Sequence, residues 1–178
     1  AIGTAAHLFW RDPARGLFGL YGQYVDFDAY SGVNTYVGAG EAALYLGRVT
    51  LEAVAGAERG NIDLGGLGSL DIDTQFFDVA RVSYYPTDNF RLLAGQSYVL
   101  GVHSGWVGAE WGVGVGGGTM ASLFANGGLS ENSVGTVLGG LRLYFGQRDK
   151  TLIQRHREDD PFGPIEVDLT GPLANLGN

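Results

Sequence analysis

Residues 134–146, Val-Gly-Thr-Val-Leu-Gly-Gly-Leu-Arg-Leu-Tyr-Phe-Gly, decide the fold. With period two, Val137, Gly139, Leu141, Leu143 and Phe145 fall on one side, all apolar or small. Thr136, Leu138, Gly140, Arg142 and Tyr144 fall on the other, which carries the only charge. Such alternation marks a strand whose two faces meet different surroundings. The stretch is about twice the ~5–6 residues of an ordinary soluble strand and close to what a tilted strand needs to cross ~30 Å of hydrocarbon. Beyond Gly146 the composition changes at once to Gln-Arg-Asp-Lys. The stretch therefore reads as the closing strand of a small membrane-spanning β-barrel.

Composition agrees with that class. Charged residues are 17% of the 178, against ~25% in a typical soluble domain, and there are 31 glycines and 5 prolines. No run of ~18 apolar residues is available for a transmembrane helix. The net charge of −8 leaves no basic stripe to neutralise phosphates, so nucleic acid is not an expected partner. The absence of cysteine removes disulfides and thiolate metal sites. A start at Ala1 without methionine fits export with the signal peptide removed.

Counting strands back from Gly146 gives segments near 119–127, 104–113, 90–100, 75–85, 49–58, 35–46 and 17–28. Short turns at 47–48, 86–89 and 114–118 fall on one side, taken as periplasmic. The segments at 29–34, 59–74, 101–103 and 128–133 fall on the other. Short turns on one side and the longest loop on the opposite one is the asymmetry of outer-membrane barrels. The fold expected is all-β: an antiparallel up-and-down transmembrane barrel over 17–146, of eight strands with ten as the alternative. Residues 1–16 are then a periplasmic segment or an extra strand, through Ala5–Trp10. Residues 147–178 are a mostly irregular periplasmic tail.

If the apolar faces point to lipid, Glu41, Glu52 and Glu110 point inward with Arg81, Arg91 and Arg142. A narrow barrel interior has room for side chains rather than a wide channel, and balanced pairing is what buried charge requires. Gly95, Gly108 and Gly112, on the same face, leave space for Tyr21, Tyr45 and the arginines. Asp78 is placed at the rim, and Gln96 falls on the apolar face for no reason visible in the alternation. Tyr84, Tyr85 and Phe90, with Tyr144 and Phe145, sit near strand ends as interfacial girdles do.

Candidate chemistry is sparse. His103-Ser104 and Glu110 are the parts of a nucleophilic site, but the loop and the mid-strand position lie apart. Asp63, Asp71 and Asp73 lack the ligand spacing of a calcium loop. No catalytic, cofactor-binding or metal residue is assigned. In the tail, Asp149 is a possible cap for a short helix. Leu152, Ile153, Arg155 and Arg157 make a candidate docking segment for a neighbouring envelope protein.

Gly140, Leu143 and Phe145 resemble the signal by which the outer-membrane assembly machinery recognises a last strand, though about thirty residues follow it here. Four longer stretches resemble a group of small exported barrels of alphaproteobacteria. They are Trp10-Arg-Asp-Pro with Gly16-Leu-Phe-Gly-Leu-Tyr-Gly, Tyr84-Tyr-Pro-Thr-Asp-Asn, Gly139-Gly-Leu-Arg-Leu-Tyr-Phe-Gly, and Arg155-His-Arg-Glu-Asp-Asp-Pro. The resemblance implies a fold and a location, the outer membrane of a Gram-negative bacterium, and no activity. The expected function is structural or partner-binding, in contact with membrane lipid or lipopolysaccharide and with a protein partner or further copies in the envelope. The alternatives are a soluble exported or self-assembling β-sandwich protein, and a narrow pore.

Overall fold

A computed structural model of the chain describes residues 2–27, 32–63, 68–146 and 150–159. They form one antiparallel sheet of nine strands in sequence order, followed by one short helix. The strands are β1 (Ile2–Asp12), β2 (Gly16–Phe27), β3 (Gly32–Leu46), β4 (Val49–Asp63) and β5 (Ser69–Thr87). They continue with β6 (Phe90–Val99), β7 (Val102–Gly116), β8 (Thr119–Ser130) and β9 (Gly135–Tyr144), and the helix is α1 (Leu152–Glu158).

The expected eight strands thus become nine. Ala5–Trp10 belongs to β1, which pairs along its whole length with β2, from Ile2 opposite Asp26 to Asp12 opposite Gly16. A tight turn makes this possible: the Asp12 carboxylate accepts the Ala14 N–H at 2.9 Å, and the Arg15 N–H reaches the Asp12 carbonyl. No tenth strand lies among the described residues of 59–74. That stretch extends β4 and β5, whose pairing continues past a bulge between Glu58 and Gly60 to Asp63 opposite Ser69.

The sheet is strongly curled. In a flat sheet at ~4.8 Å per strand, β1 and β9 would lie about 38 Å apart. Yet Arg11 of β1 donates to the Glu158 carbonyl, and Arg155, one helical turn earlier, donates to the Phe145 carbonyl just past β9. Tyr85 of β5 and Tyr144 of β9 likewise meet on one imidazole, that of His156. Nine strands therefore wrap around α1, which fills the end carrying the turns at 13–15, 47–48, 88–89 and 117–118. Among the described residues β1 and β9 do not pair with each other, so the curled sheet is not closed.

The two faces divide as the alternation requires. Phe18, Leu20, Leu44, Leu51, Phe76, Val82, Leu92, Val107, Trp111, Leu123 and Leu141 point outward and are exposed. Inward, the end away from the helix is filled by Tyr21, Val54, Phe77, Val79 and Val99, with Leu100 and Trp106 packed against them. Gly95 makes room there for Trp106 rather than for a tyrosine, since a Cβ at Gly95 would lie 2.4 Å from the indole. Glu58 crosses from β4 to accept the Leu100 N–H, holding the short β6–β7 turn over this end.

Two further points stand out. Asp78 is on the outward face, near the β6–β7 turn and beside Gln96, which donates to its carboxylate. The apparent misplacement of Gln96 is thereby explained. Tyr85 and Tyr144 are buried and inward, so only Tyr84, Phe90 and Phe145 remain for an interfacial girdle.

Candidate functional site

The helix-closed half of the interior gathers most of the buried charge. Its centre is Glu110 of β7, fully buried. Arg91 donates to it from β6 at 2.8 Å, Ser122 from β8 at 2.7 Å, and Arg142 and Tyr144 from β9 at 3.3 and 2.8 Å. Register explains the set: Arg91 is directly opposite Glu110, and Ser122 opposite Arg142. One carboxylate placed on the shared inner face reaches three neighbouring strands.

His156 of α1 completes the cluster. Tyr144 donates its proton to Glu110, so its oxygen accepts from His156 Nε2–H at 2.8 Å. On its other side the imidazole Nδ1 lies 2.9 Å from the Tyr85 hydroxyl, and Nε2 is also 3.4 Å from Glu110 Oε2. The result is a connected chain, Tyr85, His156, Tyr144 and Glu110, joining the helix to opposite walls.

The other expected inward charges pair differently from a simple three-to-three match. Glu52 takes Arg81 at 2.6 Å across β4 and β5. Glu41 takes His7 of β1 at 2.9 Å rather than an arginine, with the His7 ring against Tyr21. The six residues therefore all face the interior but divide into three groups, around Glu41, Glu52 and Glu110.

The helix itself is made for this position. Thr151 precedes it, and Gln154 reaches back to accept the Thr151 N–H at 2.9 Å. Asp149 lies outside the described residues. Leu152 is fully buried against Met120 and Tyr144, occupying space opened by Gly112, where a Cβ would come 2.8 Å from the Met120 sulfur. Burying it contributes roughly 1.5–3 kcal/mol to docking. Arg155 donates to the Gly118 carbonyl at 2.8 Å, and Arg157 to the Gly47 and Val49 carbonyls while lying over the Tyr45 ring. Burial pushes the Arg157 guanidinium below its ordinary pKa, and hydrogen bonding to Asp159 and Glu158 raises Lys150. The Ile153 N–H bonds the Asp88 carbonyl. Leu152, Ile153, Arg155 and Arg157 thus grip the turns of their own sheet, which corrects the expectation that they form a surface for a neighbour.

The arrangement neutralises charge and closes space. Ser122 donates to a carboxylate that two arginines already hold, the reverse of an activated nucleophile. His103 stacks on Tyr98 on the outward face, away from Glu110. No group of three metal-binding side chains occurs among the described residues, where Asp71 and Asp73 are exposed. The closing-strand residues divide by face: Leu143 and Phe145 are exposed outward, and Gly140 lies inward under the Phe124 ring. Among the described residues no helix is long and apolar enough to cross a membrane.

Sequence reasoning missed His7, Tyr85, Tyr144, Ser122 and His156. Parity contained the signal for the tyrosines, since Tyr85 shares a face with Arg81 and Ser83, and Tyr144 with Arg142. Nothing local marks His156, whose partners are 71 and 12 residues away. No protein-family model, curated protein or solved structure matches the chain.

Proposed function

We propose that this chain is a small outer-membrane β-barrel of the cell envelope, structural or anchoring in role, with its interior closed by ion pairs and by helix α1. The observation that carries this reading is the contrast between the two faces of one sheet. Apolar side chains are exposed on the outward face of all nine strands, far beyond the ~300–600 Å² of the largest apolar patch on a typical soluble monomer. Along β7 they run from Val107 to Val115, about 27 Å of strand, or roughly 20 Å of height at a tilt of 35–45°. That is close to the ~25 Å apolar band of outer-membrane barrels. The outward Asp78–Gln96 pair lies toward the end of β6 that adjoins the turn at 100–101, where such a band would be ending.

Anchoring is favoured over conduction because both ends of the interior are occupied. The apolar cluster around Phe77 and Trp106 fills one end, and the Glu110 network with α1 fills the other. Such a body would hold its loops and the chain beyond Asp159 at fixed places on the two sides of a membrane, available to lipid, lipopolysaccharide or an envelope partner. Extraction in detergent followed by gel electrophoresis with and without boiling tests the reading. The expected result is a requirement for detergent and a shift in mobility on boiling. Solubility without detergent would reject it in favour of a water-soluble β protein whose outward face meets other protein. A flat trace in planar-bilayer recordings is also expected, and stable unitary currents would restore the pore.

A further inference from the structure

Two residues, Leu100 and Gly101, join β6 to β7, and both have positive φ, 50° and 76°. A hairpin turn of that kind favours Asn-Gly or Gly-Gly, and a leucine takes its first position only at a cost. The side chain gives the reason. It packs inward against Tyr21, Val54, Phe77, Val79 and Val99, the cluster that fills this end of the interior. The unfavourable turn is therefore held down by that packing and by the hydrogen bond from the Leu100 N–H to Glu58 Oε1. Glu58 differs from the other interior carboxylates. Glu41, Glu52 and Glu110 each have a histidine or an arginine, whereas Glu58, 3% exposed, has neither among the described residues. Its partners are the Leu100 N–H and, at 3.3 Å, the Gln75 amide, both uncharged.

The charged groups on the surrounding elements are turned away or already engaged. Arg59 on β4 and Asp78 on β5 are on the outward face, and β3 presents Val37 opposite Glu58. His103 at the start of β7 stacks on Tyr98, and its N–H donates to Glu131 beyond the turn. His7, against the Tyr21 ring, is bound to Glu41. Glu58 also lies beyond the apolar band, farther toward the loops than Ala55, whose partner Asp78 stands where that band ends. Both of its bonds end on Oε1, so a proton on Oε2 keeps them and removes a charge that burial opposes. Burial accordingly pushes the Glu58 carboxyl above the ordinary carboxylate range despite the two hydrogen bonds. We propose that the β6–β7 turn is a lid on this end of the interior and that Glu58 is its proton sensor, protonated when the lid is closed and driving it open on ionisation. The sign follows from linkage: a proton held more tightly in the closed form supports that form fully at low pH, and the support is lost as pH rises through the closed-form value. Opening lets water reach the carboxylate, relaxes the left-handed Leu100 and lifts its side chain off the cluster. Access to the end of the interior opposite α1 is thereby tied to the pH outside it.

Trp106 packs against the same cluster as Leu100 and reports on the lid. In the full-length chain Trp10 and Trp111, both exposed on the outward face, are replaced by Phe, which leaves Trp106 as the only indole. Quenching of its fluorescence by acrylamide, a neutral probe, is measured on the folded protein at pH 5 and pH 8. The quenching constant should be at least about threefold larger at pH 8, and an equal or smaller value there overturns the proposal. Glu58→Gln, an uncharged counterpart of the acid form that keeps the Oε1 acceptor, should hold the low value at both pH values. A rise that survives in E58Q, or strong quenching of E58Q at both pH values, also overturns it. His103→Gln removes the other titratable side chain at the turn and should leave the rise intact; its loss would assign the sensing to His103 and reject Glu58. The readout needs only the folded chain, in detergent or without it, so its outcome is separate from that of the membrane reading.

Discussion

Replacing Glu110 with Gln keeps the shape of the side chain and removes its charge. Three consequences follow from its contacts. Arg91, 9% exposed, loses the carboxylate at 2.8 Å that balances its charge, and the Gln amide group brings donors to where acceptors stood. Arg142, 32% exposed, loses its bond to the carboxylate but keeps the Tyr144 hydroxyl and the Phe124 ring, and water reaches it. The Tyr144 hydroxyl keeps an acceptor only when the amide oxygen faces it, which turns the amide nitrogen toward Arg91. Removing one partner of a buried pair costs about 3–5 kcal/mol, and Arg91 sets that scale. Arg142→Met should cost less than R91M, because Glu110 keeps Arg91 and water already reaches the Arg142 guanidinium. Urea titration of the protein in micelles, followed by the fluorescence of Trp106 on the inner face of the sheet, measures both. E110Q combined with R91M should lose less than the two single losses added, by about 1–3 kcal/mol. If E110Q costs under ~0.5 kcal/mol, or if the pair is additive, Glu110 does not organise the interior.

Other consequences are equally open to measurement. Gly95→Ala forces a methyl into the Trp106 ring and should destabilise by about 1–3 kcal/mol in the same titration, with no effect if the indole packs elsewhere. Leu152→Ala should weaken helix docking by about 2–5 kcal/mol, so trypsin should cut after Arg155 and Arg157 more than tenfold faster. The raised pKa of Lys150 gives a sign for alkaline release: its support for α1 is complete below about pH 10.4 and is lost as pH rises through the folded value. Trypsin sensitivity of the helix should therefore grow above that pH, and Lys150→Met should remove the dependence.

Much of the fold was legible because alternation is a local property. The faces of β2, β3, β4 and β9 follow from period two alone, and Glu41, Glu52, Glu110, Arg81, Arg91 and Arg142 all lie inside as it requires. Asp78 is a polar residue on an apolar face, and its hydrogen bond to Gln96 on the adjacent strand cannot be seen one strand at a time. The strand count was left open at β1, because an even count made residues 1–16 either a segment outside the sheet or an extra strand, and only the pairing with β2 decides between them. The pairing of Glu41 with His7 skips over β2 and depends on curvature, which no single strand encodes. The role of the helix was hidden for the same reason. Arg155, His156 and Arg157 look like a charged surface until the turns at 47–48, 88–89 and 117–118 are brought around them.

The central claim is that the outward face of this sheet meets lipid, and Leu123, 57% exposed on β8 and opposite Trp111 at the middle of the apolar run, tests it most directly. Leu123→Arg is measured by denaturant titration of the protein refolded into phospholipid vesicles. Facing lipid near mid-band, the arginine should cost about 2–4 kcal/mol. Facing water, a substitution at so exposed a position should change stability by no more than about 0.5 kcal/mol, and that result would contradict the account.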